Sequence, residues 1–520
     1  MAGKVIGIDL GTTFCAVATL DEHGQPVTLP NRDGEILTPS AVLILDDQTA
    51  IVGQPALDVA LEQPQNVATL IKRQMGRPQY DRPINNRIFR PEVLSAIILR
   101  KLAQDAAMRL GRVDKVVITV PAYFDDTRRK ATQDAGRIAG LDVIDILDEP
   151  TAAALAYCLQ PSPGTSRPAD PDQPQNVLVY DLGGGTFDVS IVRLTRTRFQ
   201  TLAIEGDVFL GGKDWDDRIV EHVANLFKQQ YGEDPREHPL SLVALQSAAE
   251  RAKRNLSKLP QTTITCSHNG KVLSVTLTRA EFEKLTNYLL LRTRTTTQAA
   301  LTQAGLTWEQ VDRILMVGGS THMPMTSQML RQLSGKQPDN SLAVSEVVAR
   351  GAALHAGIAA ARAEQTAHLL DHEALDALGD VVEISVNAHS LGIEVRHHNE
   401  RINDILIRKN TQLPASASRI YRTATEHQSR VRVKVLQGEA HQAEACISIG
   451  ECWIDDLPPE LPKGSPVQVQ CRVGADGIVS VVAKDLTSGK TARATLHRQS
   501  GMTEEEIAAA AQWVQSLNIQ

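Results

Sequence analysis

GIDLGTTF at residues 7–14 returns as VYDLGGGTF at residues 179–187. Each copy has an apolar run that ends in an aspartate and enters a glycine- and threonine-rich turn, and a second apolar run follows, so each predicts a strand, a tight loop and a strand. Glycines let backbone N–H groups approach an anion, threonines add hydroxyl donors, and the aspartate can hold a hydrated divalent cation. The repeat therefore predicts a duplicated cradle for a nucleotide triphosphate with magnesium, in preference to two ordinary hairpin turns.

Size and charge limit the classes of protein to which the chain can belong. Its 520 residues exceed what one hydrophobic core normally serves, so two or more lobes are expected. The net charge of -7 argues against a nucleic-acid or acidic-membrane partner. The start MAGKVIGIDL has no signal-peptide pattern, and the six cysteines form no C-x-x-C pairs. We therefore expect a cytoplasmic protein with reduced thiols, no membrane segment and no zinc site.

The hydrophobic pattern of the sequence changes near residue 380. Before it, strand-like runs such as KVVITV (residues 115–120) alternate with amphipathic helical stretches, which is typical of an α/β domain. After it, RVRVKV (residues 430–435) and VQVQCRV (residues 467–473) alternate with period two and predict a separate β-sandwich. At the end, Thr503 and Glu506 form a capping box for one short helix, which we expect to dock on the sandwich.

Further motifs add up to a resemblance. IKRQMGR (residues 71–77), VPAYFDDTRRKATQDAGRIAGL (120–141), DEPTAAALAY (148–157), FLGGKDWDDR (209–218), ERAKRNLS (250–257) and MVGGSTHMP (316–324) resemble the DnaK-type heat-shock protein 70 chaperones, in family order. SLGIE (390–394), KNTQLP (409–414) and VLQGE (435–439) resemble the peptide-binding part of that family.

The resemblance implies a fold class and a domain order. We expect an α/β actin-like ATPase domain, with two lobes around a nucleotide cleft, at residues 1–370. A linker at 371–385, a β-sandwich peptide-binding domain at 386–500 and a truncated lid helix at 501–520 are expected to follow. The implied cofactors are ATP or ADP and Mg²⁺.

The resemblance also assigns the phosphate end of the site. Asp9 and Asp181 suit the water shell of Mg²⁺ and could orient the attacking water. Lys72 matches the family lysine that neutralises γ-phosphate charge, although most lysines are merely solvated. Glu149 matches a carboxylate that holds metal and water, but it could instead be a charge at a helix N-terminus. The residues implied in clasping the phosphates are Gly11, Thr12, Thr13, Gly183, Gly184, Gly185 and Thr186.

The adenosine end follows from two other motifs. In ERAKRNLS, the resemblance implies that Glu250 and Lys253 bind the ribose, while Arg254 stacks on adenine and Ser257 contacts its edge. Taken alone, this charged helix would be read as a salt-bridged surface. Gly318 and Gly319 allow the backbone to approach the base closely.

Several positions depart from the family pattern. His322 replaces the second adenine-stacking arginine, so the ring loses a cationic plane. Ser345 stands in place of an aspartate, and Lys213 in place of an acidic residue. The stretch between Arg77 and Pro91 is short, which indicates a trimmed lobe tip. We expect easier nucleotide release and no ordinary grip for a nucleotide exchange factor.

DVVEIS at residues 380–385 resembles the short apolar linker that joins the two domains in that family, but Glu383 interrupts its apolar run. Docking this linker in a groove would require Glu383 to lose water or find a cation. Pro121 and Arg129 match the family residues that relay between lobe and linker, although Arg129 could be a surface helix residue.

The peptide site is also carried over from the family. By resemblance, the channel and its apolar pocket are formed by Ile393, Tyr421, Ala424, Val431 and Val433, although alternating valines usually fill a core. The charged loop VRHHNER (residues 395–401) makes a preference for acidic neighbours in the peptide plausible. The short final helix predicts fast peptide exchange.

Three functions compete at this stage. The first is an ATP-hydrolysing chaperone for unfolded clients, aided by a J-domain co-chaperone. The second is a specialised nucleotide-sensing adaptor for one dedicated partner. The third is a small-molecule kinase or filament protein on the same ATPase fold, against which the C-terminal sandwich argues.

Overall fold

The computed structural model describes residues 4–159, 173–195, 197–340, 343–362, 378–398, 400–455, 457–458, 461–474, 477–496 and 501–520. The α-helices in these ranges are α1 (Gln54–Ala60), α2 (Pro91–Leu110), α3 (Asp126–Ile138), α4 (Glu149–Leu159), α5 (Gly212–Tyr231), α6 (Pro239–Lys258), α7 (Arg279–Gln303), α8 (Pro324–Ser334), α9 (Val347–Arg362) and α10 (Glu504–Ser516). None of these helices has both the length and the apolar character needed to span a bilayer.

The strands alternate with these helices in the first two thirds of the chain and follow one another in the last third. They are β1 (Lys4–Asp9), β2 (Phe14–Leu20), β3 (Pro26–Leu29), β4 (Thr38–Pro39), β5 (Val42–Ile44), β6 (Thr49–Val52), β7 (Val67–Ala68), β8 (Val113–Val120), β9 (Asp142–Asp148), β10 (Gln175–Leu182), β11 (Phe187–Leu194), β12 (Arg198–Asp207), β13 (Gln261–His268), β14 (Lys271–Thr278), β15 (Arg313–Val317), β16 (Val382–Ile384), β17 (Leu391–His397), β18 (Glu400–Ile407), β19 (Ala415–Arg422), β20 (Val431–Gln437), β21 (Ile447–Ile454), β22 (Pro466–Val473), β23 (Val479–Asp485), β24 (Thr491–Leu496) and β25 (Asn518–Ile519).

The two large sheets share a four-strand arrangement, β3-β2-β1-β8 in one and β12-β11-β10-β15 in the other. One has the order β3-β2-β1-β8-β9, with β4 also paired to β2, and the other has the order β15-β10-β11-β12-β16. In each sheet the strand that carries the loop aspartate, β1 or β10, lies between an antiparallel partner and a parallel one. The two predicted strand–loop–strand units are thus confirmed, and each is built into its own sheet.

Small residues bring helices close to the first sheet and to each other. A Cβ on Gly7 would lie 2.3 Å from the backbone nitrogen of Ala353 in α9, and one on Gly351 would lie 1.8 Å from the carbonyl oxygen of Ala152 in α4. Neither position accepts a side chain, because backbone atoms occupy the space. This close packing places the N-terminus of α4, and with it Glu149, beside the ends of both aspartate-bearing strands.

A β-sandwich follows, as the period-two pattern predicted. Its sheets have the orders β18-β17-β20-β21 and β19-β22-β23-β24. Inward-facing side chains such as Val435, Val469 and Val481 share one core, and the residues between them along the strands are more exposed. The expected domain boundary between residues 370 and 371 lies outside the described residues.

The C-terminal helix corrects one expectation. Helix α10 packs on α2 and α3 of the first lobe, and Ile507, Val514, Leu517 and Ile519 are buried in the core of that lobe instead of docking on the sandwich. Strand β25 then pairs in parallel with β6, giving a sheet of order β25-β6-β5-β7. The physical reason is that the first lobe offers both an apolar groove and an open strand edge. The segment therefore forms part of the first lobe, next to the short stretch at residues 77–91.

Candidate functional site

The two glycine- and threonine-rich loops meet face to face. A Cβ on Gly184 would lie 2.5 Å from the Thr13 hydroxyl oxygen, and one on Gly185 would lie 2.4 Å from the Thr12 methyl carbon. Such contacts require glycine, because any side chain would push the loops apart. The structure thus brings the predicted phosphate-binding residues of both copies to one place.

Four carboxylates and one lysine lie beneath these loops. Asp9 ends β1, Asp181 and Asp188 face each other on β10 and β11, and Glu149 begins α4. Lys72, in a short 3₁₀-helix, donates to the Glu149 carboxylate, and both side chains are almost fully buried. Lys72 is therefore not a solvated surface lysine, which was one of the two interpretations of this residue. The cluster joins residues from both sheets.

Burial and mutual repulsion shape the charge of the cluster. Burial, reinforced by the nearby Glu149 carboxylate, raises the pKa of Asp9 to about 7 and that of Asp188 to about 8. The pKa of Asp181 is raised well above its ordinary value for the same two reasons. Burial opposes the positive charge of Lys72, but Glu149 and Asp9 outweigh it and raise the lysine pKa. Several carboxyl groups are thus clustered in a buried site where their ionised forms are unfavourable.

A divalent cation suits this donor set. Lys72 is a cation that lowers the pKa of all three aspartates, yet their pKa values remain raised, so the pocket still favours added positive charge. Oxygen ligands are those that Mg²⁺ prefers, and Mg²⁺ usually keeps several waters. Within the described ranges, no three acidic, histidine or cysteine side chains are arranged to ligate an ion directly. The fit to Mg²⁺ therefore rests on charge and ligand type.

Sequence reasoning overlooked Asp188. Its side chain is 1% exposed and accepts a 3.0 Å hydrogen bond from the Tyr123 backbone N–H. A signal was present, because Asp188 directly follows the loop phenylalanine in a mostly apolar strand, where a buried carboxylate is costly. The first copy of the repeat has Cys15 at the matching position, so an aspartate at this position is not part of the shared pattern.

The adenosine-side residues lie on one helix, as expected, but they contact protein groups. Lys253 of α6 donates to Asp216 at 2.8 Å and to the Gly212 carbonyl at 2.9 Å. Arg254 pairs with Glu250 at 2.5 Å, and its guanidinium lies 5.4 Å from the centre of the Phe14 ring. The helix is thus anchored beside the first phosphate loop.

The remaining adenosine-side residues show how open this end is. The Ser257 hydroxyl donates back to its own helix. Gly318 has φ +82°, and a Cβ there would lie 2.6 Å from the Asp181 carboxylate, while Gly319 is open to space. His322 is exposed and borders a cavity of about 790 Å³ together with Ser345 and Arg331. Two of the departures from the family pattern therefore line one cavity.

The relay residues lie between the site and the sandwich. The Arg129 side chain is 12% exposed, so it is not a surface helix residue. Its guanidinium donates to the Ala122 carbonyl at 3.0 Å, to the Phe124 carbonyl at 3.1 Å, and to Asp148, the residue before Glu149. Pro121 is buried directly before this segment. Arg129 thus ties the end of β9 to the loop after β8.

That loop touches the sandwich. The Tyr123 and His389 rings lie 4.5 Å apart, and His389 Nε2 donates to the Tyr123 carbonyl at 3.1 Å. The Ile204 N–H donates to the Asn410 side chain at 2.9 Å, and Val386 packs in the same apolar cluster as Ile204. The sandwich is therefore docked directly on the α/β domain.

The linker strand is docked as well. Strand β16 extends the second sheet, with Phe199 paired to Glu383 in parallel register. Glu383 has the cation that its docking required, because His355 Nδ1 lies 2.8 Å from Glu383 Oε2. The other ring nitrogen of His355 lies 2.8 Å from Asp145 Oδ2. No local sequence pattern indicates this pairing of His355 with Glu383.

The expected peptide-binding residues share one region of the sandwich. Ile393 and Val433 are buried in its core, at 3% and 2% exposure, on adjacent strands. Tyr421 and Val431 are partly buried and pack against that core, whereas Ala424 is exposed. The structure brings the first four together and leaves Ala424 outside the core. This packing is compatible with both interpretations of these residues, a peptide-binding pocket and an ordinary hydrophobic core.

Charged side chains surround this region. Glu394 pairs with Lys434 and with Arg432, each at 2.9 Å. The Tyr421 hydroxyl donates to Asp404 at 2.8 Å. The expected charged loop is a β17–β18 hairpin, in which one residue, at position 399, lies outside the described ranges.

A comparison with protein-family models agrees with this geometry. The model described as Hsp70 protein matches residues 5–88 and 81–518. These segments include both phosphate loops, the buried carboxylate cluster, the linker strand, the sandwich and helix α10. The match covers nearly the whole chain, and the chain therefore belongs to the Hsp70 family.

Proposed function

We propose that this chain is an ATP-dependent molecular chaperone, in which ATP hydrolysis controls affinity for extended apolar segments of unfolded proteins. Members of the Hsp70 family are ATPases that bind nucleotide with Mg²⁺ and that generally bind client peptides and J-domain co-chaperones. The observation that carries the proposal is the buried cluster of Asp9, Asp181, Asp188, Glu149 and Lys72 beneath the two facing loops.

The division of labour in hydrolysis follows from this cluster. Mg²⁺, when bound, would neutralise phosphate charge through the aspartates and their waters. The glycine loops would present backbone N–H groups to the phosphates. Lys72 is held by Glu149 and would stabilise the negative charge that develops at the γ-phosphate. A carboxylate of raised pKa, such as Asp188, can accept a proton from the attacking water near neutral pH.

Calorimetry tests nucleotide binding. We expect a heat of association with Mg²⁺ and ATP or ADP, and we expect it to be lost in the double variant Asp9→Asn/Asp181→Asn. An unchanged signal in that variant would contradict the assignment. The exposed pair Asp46→Asn/Asp58→Asn is the matched control, since both residues lie far from the facing loops in sequence and on the surface.

Turnover tests the chaperone part. ATP hydrolysis should rise when an unfolded peptide is added, and rise further with a J-domain. Lack of stimulation by either partner, with nucleotide binding intact, would leave an ATPase without peptide coupling.

A dedicated adaptor is the second candidate, and one observation favours it. The sandwich is held to the ATPase part at both ends, by β16 on β12 and by α10 with β25 on the first lobe. Such tethering limits how far the sandwich can move, which suits a sensor of one partner. Screening a peptide array separates the two, because a chaperone binds many apolar sequences and an adaptor binds few.

A further inference from the structure

The linker strand carries a carboxylate at a mostly buried position. Glu383 lies in β16, which pairs with β12 at the edge of the second sheet, and its side chain is 16% exposed. Removing a carboxylate from water is costly unless a partner compensates for the loss. A second carboxylate, Asp145 of β9, lies on the other side of the same imidazole and is 50% exposed. Without a cation between them, these two groups would repel each other.

His355 supplies that cation. The side chain is 14% exposed, and each ring nitrogen lies 2.8 Å from a carboxylate oxygen, one of Glu383 and one of Asp145. Ionised carboxylates only accept hydrogen bonds, so both nitrogens must carry a proton and the ring must be an imidazolium. These two carboxylates outweigh the opposing effect of burial and raise the pKa of His355 to about 10. The ring is therefore charged at neutral pH.

The position of His355 links the linker to the catalytic side. Asp145 lies on β9, and the same strand ends at Asp148, the partner of Arg129, directly before Glu149. A carboxylate–imidazolium–carboxylate bridge through His355 therefore joins the docked linker, by Glu383, to the strand that leads to the carboxylate holding Lys72. Helix α9 fixes the imidazole between them.

We propose that His355 is a positioning residue for interdomain coupling: its imidazolium latches the linker, through Glu383, to Asp145 of the strand that leads into the nucleotide site. This proposal rests on the proposed function only for the purpose of the latch, which is to couple the nucleotide site to the sandwich. Docking of the linker itself can be measured without ATP hydrolysis. Glu383 and His355 form an ionic contact within a linker strand whose neighbouring residues Val382 and Ile384 are apolar. Loss of His355 alone should therefore be worse than loss of both partners, because it leaves Glu383 without a cation.

Hydrogen exchange of the linker strand in the full chain tests the latch. His355→Gln leaves two carboxylates facing each other, and exchange at residues 382–384 should become about tenfold faster or more. Glu383→Leu alone should keep wild-type protection, because it removes the buried carboxylate and leaves His355 paired with Asp145. The double variant His355→Gln/Glu383→Leu should restore protection. The control is His441→Gln, an exposed histidine of the sandwich.

Two outcomes would overturn the latch: wild-type exchange in His355→Gln, or no restoration in the double variant. Should His355→Gln disturb α9, Glu383→Lys carries the same test from the linker side, since it puts a cation against the imidazolium and should also release the strand. Peptide-stimulated ATP turnover is the second readout. It should fall in His355→Gln and recover in the double variant His355→Gln/Glu383→Leu. Failure of nucleotide binding would contradict the proposed function, but it would leave the exchange result for the latch intact.

Discussion

Trp513 of helix α10 stacks on Phe89 of the first lobe, with ring centroids 5.6 Å apart. The Trp513 indole N–H donates to the Asp47 carbonyl at 3.2 Å, and the Arg100 guanidinium donates to the carbonyls of Val514 and Gln515 at 3.0 and 2.6 Å. The last turn of α10 is thus capped by a side chain from α2. These contacts make the C-terminal segment part of the ATPase lobe.

Removing an apolar contact from this segment should destabilise the ATPase domain. Ile507→Ala deletes a side chain that is 5% exposed within the core of the first lobe, and it should lower the free energy of unfolding by about 2–5 kcal/mol. Calorimetric melting of the full chain, with and without nucleotide, measures this change. Gln512→Ala, on the exposed face of the same helix, is the control. A lowered melting transition in the sandwich alone would contradict the docking.

Peptide release should be fast and should not depend on α10. Since this helix lies on the first lobe, it does not cover the region of Ile393 and Val433. A fluorescent peptide should dissociate within seconds to minutes in an anisotropy experiment, and Gln512→Ala should release it at the wild-type rate. Residence for hours would indicate that another element closes over the peptide.

Lys72 should matter for hydrolysis more than for binding. Lys72→Met keeps the length of the side chain but removes its charge, and the rate of ATP hydrolysis should fall about a hundredfold or more. The variant also leaves Glu149 buried without its partner, so stability should fall by about 3–5 kcal/mol. Single-turnover kinetics and melting measure the two effects. Lys484→Met, an exposed lysine of the sandwich, should change neither, and an unaffected rate in Lys72→Met would remove the lysine from the mechanism.

Docking of the linker should weaken at alkaline pH. The pKa of His355 is raised from 6.5 to about 10 by Asp145 and Glu383, the carboxylates that face it from β9 and β16. A cation whose pKa is raised in the folded state stabilises that state fully below its unfolded pKa, and this stabilisation is lost as the pH rises through about 10. Subtilisin cleavage at residues 380–385, normalised to cleavage of the same free peptide, should therefore accelerate in that range. Glu383→Leu should show much less acceleration, and equal acceleration in both proteins would contradict the ionic latch.

The two strand–loop–strand units were predictable from the sequence because their pattern is local. A strand, an aspartate and a glycine turn lie within a few residues of each other, so the positions of Asp9 and Asp181 at strand ends beside the loops could be predicted before any tertiary contact was known. Asp188 was missed because the first copy of the repeat has Cys15 at the matching position, so the repeat itself did not single out the aspartate. Docking of α10 on the first lobe was also missed, since an amphipathic helix shows that it needs a partner but not which one.

The repeat, the alternation of strands and helices, and the change to period two near residue 380 depend on neighbours along the chain, and these features were sufficient for the α/β domain, the sandwich and the duplicated loops. Partners far apart in sequence depend on packing. With 54 lysines and arginines and 14 histidines in the chain, no local pattern selects His355 as the cation for Glu383. The tertiary structure alone decides that pairing and the docking of α10 on the first lobe. A buried charge needs whichever opposite charge the fold brings to it, and an apolar face is stabilised by whichever apolar surface the fold places against it.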